Sequence, residues 1–304
     1  MANATDAGRH EDTIEKSIHL FEGERSLVIT GMLGLILAAG IFVFIYFQGP
    51  IILPEGNLND AFSFNAAVGI FFVSIAAILP FARLGTRKRQ AIRWLLILVA
   101  LYFYGIETIQ NFRGLAPRFT EGGTELDGIA SVLFGVVALL FVILLILLMI
   151  QFFRIKPPYE RPLLILGIRY ALVSVLLANM AGIWMSILQD RFVGDAGNLI
   201  VLHGMGFHAL QTLIIPGWLL EKTNVNERLQ KLIIHYGGIA WLLSIILIGL
   251  QTGLGRSVFE LTFLPILAIL LLLVWLYTVI VATVLFIKKW RTKNMDNEHN
   301  KSFS

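Results

Sequence analysis

Eight long apolar runs divide the chain, at about 26–47, 61–83, 91–112, 127–153, 162–188, 198–220, 231–252 and 260–287. A helix needs roughly 20 such residues to cross a hydrocarbon core about 30 Å thick. Inside lipid every backbone N–H and C=O must bond within its own segment, and a helix does this without help. The pattern predicts an all-α membrane protein with eight transmembrane helices over 26–287, an N-terminal segment 1–25 and a tail 288–304. The weakest division is the short polar gap from Gly253 to Glu260. Before the first run, Asp12 and Glu15 are spaced like a helix cap, with Ile14, Ile18 and Phe21 following at helical spacing, which fits a short interfacial helix or a frayed polar tail equally well. Residues 1–25 have no apolar core, so the first run is expected to be a retained span rather than a cleaved signal.

Charge tests this division independently. Eight spans with the N-terminus inside leave five cytoplasmic segments, 1–25, 83–93, 154–161, 222–231 and 288–304, and these hold nineteen of the 24 Lys and Arg. The outer segments hold four, Arg113, Arg118, Arg191 and Arg256, and Arg169 lies within a span, which accounts for all 24. Cytoplasmic loops carry the excess of Lys and Arg, and one helix more or fewer would scramble the alternation. The expectation is a multi-pass protein of the cytoplasmic membrane with both termini inside.

Composition removes several classes of function. The chain is 57% hydrophobic and 14% charged, with a mean hydropathy of +0.78, whereas soluble domains carry about 25% charge. The pI of 9.4 comes from short basic segments between apolar runs and not from a basic face, so nucleic acid is not an expected partner. Lipid is the expected partner, and a homo-oligomer or a larger membrane complex stays open. With no cysteine there is no disulfide, thiolate nucleophile, Cys-ligated zinc or iron–sulfur cluster. No P-loop, G-x-S-x-G, H-E-x-x-H or strand-following G-x-G-x-x-G is present.

A short internal repeat is visible. Gly105-Ile106-Glu107-Thr108 matches Gly249-Leu250-Gln251-Thr252, and Ile78-Leu79-Pro80 matches Ile214-Ile215-Pro216. Four spans separate the members of each pair, as two parallel four-helix copies would require.

Polar residues within spans need a reason, because ionisable groups at bilayer depth cost roughly 2.5–3.5 kcal/mol each. Most fall in the outer half: Asn65, Glu107, Gln110, Asn111, Asn179, His203, His208 and Gln251, with Arg169 and His235 in the inner half. The candidate solute- or proton-binding set is Glu107, Asn111, His203, His208, Gln211 and Gln251, facing one outward-open pocket. At about 100° per residue, His203, Gln211 and His208 share one broad sector of the sixth helix. Structural alternatives are an ion pair of Glu107 with Arg113 or Arg256, histidines bonded between helices, an Arg169 that snorkels or pairs with Glu160 or Glu221, an interfacial His235–Tyr236 pair, and an interfacial loop 113–119 anchored by Phe119. Metal stays open but strained, since paired helical ligands sit at i,i+3 or i,i+4 and His203 and His208 are i,i+5. Haem between His208 and Met180 is formally available, although Met as packing filler is the simpler reading. The cofactor is not fixed by the sequence.

The segments Glu107-Thr108-Ile109-Gln110-Asn111-Phe112-Arg113-Gly114 and His203-Gly204-Met205-Gly206-Phe207-His208-Ala209-Leu210-Gln211 resemble those of uncharacterised bacterial polytopic membrane proteins, a resemblance that brings no known activity. The eight-helix, two-half layout is similar to that of haem A synthases, but this chain lacks their histidines on alternate helices. Three functions fit these observations: a transporter, with or without proton coupling; a membrane-embedded redox or metal- or haem-dependent enzyme; and a non-catalytic accessory subunit.

Overall fold

A computed structural model describes residues 18–118 and 120–302, with backbone only from 293 to 302. The expected Asp12–Glu15 cap and the Phe119 anchor lie outside the described residues. Eight helices are long and apolar enough to cross a membrane, as the hydropathy pattern predicts. They are α1 (Arg25–Gln48), α2 (Leu58–Ile78, continued by a 3₁₀ turn to Ala82), α3 (Thr86–Phe112), α4 (Glu125–Arg154), α5 (Pro162–Leu188), α6 (Leu199–Thr212) with α7 (Ile214–Leu220) as one span, α8 (Glu227–Gly253) and α9 (Phe263–Ser302). The sixth span breaks where Pro216, lacking an N–H, leaves the Thr212 carbonyl without its helical donor. The expected tail from Lys288 begins as a straight continuation of α9.

Two elements were not expected. Each half carries a miniature β-hairpin between its first and second spans: β1 (Ile51–Ile52) with β2 (Gly56–Asn57), and β3 (Phe192–Val193) with β4 (Gly197–Asn198). Their registers are identical, Ile51↔Asn57 and Ile52↔Gly56 against Phe192↔Asn198 and Val193↔Gly197. Each hairpin runs into a helix capped by an asparagine, Asn57 accepting from the Asn59 N–H and Asn198 from the Ile200 N–H.

These hairpins put the repeat in its true register. From Asn57 to Asn198 the offset is 198 − 57 = 141, and it recurs wherever a backbone contact has a counterpart. The Glu55 N–H bonds the Gly114 carbonyl as Ala196 bonds Gly255, and Leu115 bonds Gln110 as Arg256 bonds Gln251. Helices α3 and α8 are both 27 residues, from Thr86 and Glu227, again 141 apart. The sequence matches sit at 249 − 105 = 144 and 214 − 78 = 136, so neither aligns structurally equivalent residues. Gln251 corresponds to Gln110, and Pro80 and Pro216 are five positions out of register. Short apolar tetrapeptides match by chance at many offsets, whereas turn geometry admits one.

The two copies run in the same direction, so both hairpins share one end of the bundle with the 113–124 and 254–262 connections. The opposite end gathers the segments around 18–24, 83–86, 155–161 and 221–226. Helices α4 and α9 occupy equivalent peripheral positions, each with 17% of its most apolar stretch buried, against 44% for α2 and for the α6–α7 span. Those two spans meet across the boundary between copies, where Gln211 Nε2 donates to Ser74 Oγ at 2.7 Å and Phe71 packs edge-on to Phe207 at 5.0 Å.

Candidate functional site

Glu107 sits near the hairpin end of α3 with 0% of its surface exposed. A carboxylate taken out of water needs a counter-charge and hydrogen-bond donors close by. Arg118 provides both, its Nη2 lying 2.8 Å from each carboxylate oxygen. Arg118 is on no helix. It belongs to the connection between α3 and α4, which folds back over the bundle and lowers one side chain into it.

A second carboxylate shapes that connection. Glu55, at the tip of the first hairpin, accepts from the Ala116 N–H at 3.1 Å, the Thr120 hydroxyl at 2.8 Å, the Glu121 N–H at 3.0 Å and the Gly122 N–H at 2.9 Å. These bonds favour its charged form and hold its pKa below the ordinary 4.5, the Ala116 N–H contributing most and the Thr120 hydroxyl next. The base of the connection is fixed by Asp127 in the first turn of α4, which forms a capping box with Thr124 and accepts from Gln110 Nε2 at 2.9 Å and Arg113 Nη1 at 2.5 Å. The described residues of the 113–124 connection cover the pair like a lid: Glu55 clamps their span, Asp127 pins their base, and Arg118 plugs the opening.

Aromatic rings surround the plug. The guanidinium carbon of Arg118 lies 5.0 Å from the Phe64 centroid and 5.5 Å from that of Phe134, within cation–π range. Phe103 packs against both rings, at 5.8 and 5.2 Å. Arg118 is not fully satisfied in this collar, since its Nε is buried without a hydrogen-bond partner among the described residues. Its side chain is 31% exposed, against 1% for Glu107, so access to the pair runs along the arginine.

His203 stands on α6, in the other copy. Its Nδ1 is 2.8 Å from the Ala178 carbonyl, which can only accept, so this nitrogen carries the proton. The expected common cavity of Glu107 and His203 is filled by phenylalanines. Phe103 contacts Phe141 at 5.9 Å, Phe141 contacts Phe207 at 6.4 Å, and Phe207 contacts the His203 ring at 4.7 Å. Two shallow crevices lie towards the opposite end of the bundle, each with room for little more than one water, one beside Tyr170 and Trp275 and one beside Phe81 and Tyr159. Neither is lined by any of the six expected site residues.

Several expectations change accordingly. The ion pair of Glu107 is made with Arg118; Arg113 serves Asp127, and Arg256 lies 4.0 Å from Glu260. His208 is exposed on α6, whereas His203 and Gln211 are half-buried. Met180, 59% exposed on α5, also faces outward. Asn111 is a staple, donating to the Glu107 carbonyl at 2.8 Å and accepting from the Asn57 N–H at 2.9 Å. Gln251 likewise ties α8 to the next connection through the Ser257 carbonyl at 3.0 Å. Arg169 neither snorkels nor pairs with a carboxylate: it donates to the Phe152 and Ile155 carbonyls at the C-terminal end of α4, where helix carbonyls lack partners. His235 bonds Tyr170 at 2.8 Å instead of pairing with Tyr236. Among the described residues, no three His, Asp or Glu side chains gather closely enough to hold a metal.

Sequence reasoning missed Arg118 and Glu55. A signal for Arg118 existed: an intramembrane carboxylate demands a cation within reach, and Arg118 lies eleven residues on from Glu107. Glu55 had none, because its partners are mostly backbone amides. No protein-family model, no curated protein and no solved structure matches the chain. What the fold defines is a multi-pass membrane protein of eight helices in two parallel four-helix copies.

Proposed function

We propose that the protein is a solute carrier whose binding carboxylate is Glu107 and whose gate is the lid carrying Arg118. One observation carries the reading: the counter-ion of a buried membrane carboxylate is delivered by a connecting loop and not by a neighbouring helix. A charge pair that only fastened helices together would join two helices. A charge on a loop can be withdrawn without disturbing the bundle.

In this mechanism the lid lifts, Arg118 leaves, and Glu107 is neutralised by a proton or by a cationic solute. A neutral site can then be carried through the bundle, because the cost of an unpaired charge in lipid has been removed. Two parallel copies supply the moving parts, one copy rocking against the other along the α2–α6 contact. The basic segments at the opposite end support a lid on the outer side.

The test is flux. Purified protein is reconstituted into liposomes holding a pH-sensitive dye, and solute gradients are imposed. Glu107→Gln is expected to abolish solute-linked proton movement while the protein stays monodisperse in detergent. Wild-type flux in that variant overturns the reading.

A second reading, an accessory subunit of a larger membrane complex, has its own observation. Gln110, Asn111 and Gln251 are all consumed in staples between helices and connections. Under that reading Glu107→Gln lowers thermal stability and changes no flux.

A further inference from the structure

We propose that the Glu107 site takes an organic monocation, a guanidinium or alkylammonium head group, and that Arg118 occupies it as a tethered stand-in for that ligand. The inference rests on the reading of Glu107 as the binding carboxylate and adds the class of solute.

The walls choose the class. An inorganic cation gives up its water only to several oxygen ligands in exchange. The Arg118 head meets the Glu107 carboxylate at one edge and the faces of Phe64 and Phe134 at 5.0 and 5.5 Å. Phenyl faces attract a weakly hydrated, delocalised or alkylated cation and supply nothing to a bare sodium ion. One carboxylate balances one positive charge, so the solute is a monocation.

The stand-in is also built to leave. Both of its bonds to Glu107 come from a single nitrogen, Nη2, rather than from the two-nitrogen fork that an arginine can present to a carboxylate. Its Nε, buried without a partner among the described residues, is a donor that a free ligand could orient better. The lid that carries it hangs from Glu55 through surface hydrogen bonds. Removing the arginine side chain therefore leaves a cage of guanidinium size with its carboxylate still in place.

The experiment is rescue in detergent, separate from transport. Thermal stability of Arg118→Ala is measured with methylguanidinium, tetramethylammonium, urea and sodium chloride at constant ionic strength. Methylguanidinium is expected to restore stability saturably, with half-effect in the millimolar range, and the Arg118→Ala/Glu107→Gln double variant is expected to lose that effect. Urea, the neutral analogue of the same shape, and sodium are expected to do nothing. Equal rescue by urea or sodium overturns the proposal, as does rescue that survives Glu107→Gln. Should Arg118→Ala fail to fold, Glu55→Gln serves in its place: it loosens the lid with the cage intact and is expected to bind methylguanidinium at least tenfold more tightly than wild type, and unchanged binding overturns the proposal. Cation binding without liposome flux retires the carrier reading and leaves the site. Proton flux with no cation binding retires the cation class and leaves the carrier.

Discussion

The two four-helix copies share a frame and differ in what hangs from it. Both have a hairpin in the same register, an asparagine cap, a glutamine at the end of the third helix and a glycine in the left-handed region after it, Gly114 at φ 77° and Gly255 at φ 74°. In the first copy the hairpin tip presents Glu55, and in the second the equivalent residue is Ala196, whose N–H makes the shared backbone bond while its methyl makes no clamp. The first copy has Glu107 where the second, 141 residues on, has Ile248, buried with an ordinary apolar side chain. The second connection, 254–262, exposes Phe259 at 84% where the first buries a guanidinium head. What the copies have in common builds the fold. What only the first has, a clamped lid over a buried charge pair, goes beyond the shared frame and is what the carrier reading rests on.

The largest effect should come from breaking that asymmetry. Arg118→Ala strands a buried carboxylate, which costs about 3 kcal/mol, the low end of the range for broken buried pairs because the arginine is part-exposed. Phe259→Ala in the second connection should change the thermal midpoint hardly at all, since its side chain packs on little. Equal losses would mean that the lid is ordinary connection.

Next comes the shared frame. A methyl added at Gly56 would run into the Asn111 carbonyl, and one at Gly197 into the Thr252 carbonyl, backbone atoms with little room to yield. Gly56→Ala and Gly197→Ala should each cost about 1–3 kcal/mol, as overpacking does. A loss confined to one copy would deny that the hairpin is common scaffold.

Within the sixth span, His203→Ala removes an interhelical hydrogen bond, a type that averages about 0.6 kcal/mol in membrane proteins. His208→Ala, on the exposed face, should leave the melting curve unchanged. A larger loss for His208 would mean that another chain covers that face.

The smallest effect is a pH response. The folded-state pKa of Glu55 is lowered, so its clamp is fully present above the ordinary value of 4.5 and is lost as pH falls through the folded value. Protection of the amides at 116, 121 and 122 against exchange should fall on acidification below 4.5, once the intrinsic pH dependence is removed, and protection in 254–262 should not. Glu55→Gln should abolish the difference between the two connections.

The eight spans were legible because continuous apolar composition reports directly on lipid contact. Their edges were less so. The third helix begins at Thr86 and not near 91, since Arg89 and Arg93 remain helical by pairing with Glu24, at 2.6 Å each. Glu24 lies in a segment that reads as a polar tail, yet it is 0% exposed. Partners 65 and 69 residues away leave no local mark in a sequence. Of the candidate site, Glu107 and His203 were legible as costly groups needing a reason. The hairpins were not, because two-residue strands carry no periodicity, and the lid was not, because most of its bonds run to the backbone.

The Glu24 cluster also bears on the order of events during synthesis. Glu24 leaves the ribosome well before Arg89 and Arg93 exist, so its carboxylate must wait in the headgroup layer while α1 and α2 enter the membrane. Only the arrival of α3 lets it be enclosed, and Asp127 at the start of α4 then secures the base of the lid. The pairs made by the buried carboxylates of the first copy, Glu24, Glu107 and Asp127, close within that copy at separations from 11 to 69 residues, while the exposed Asp60 faces Arg191 of the second copy at 3.9 Å. The first four helices can therefore settle as a unit before the fifth emerges, in the manner of domains that fold one after another from the N-terminus, and the second copy is assembled against a surface already made.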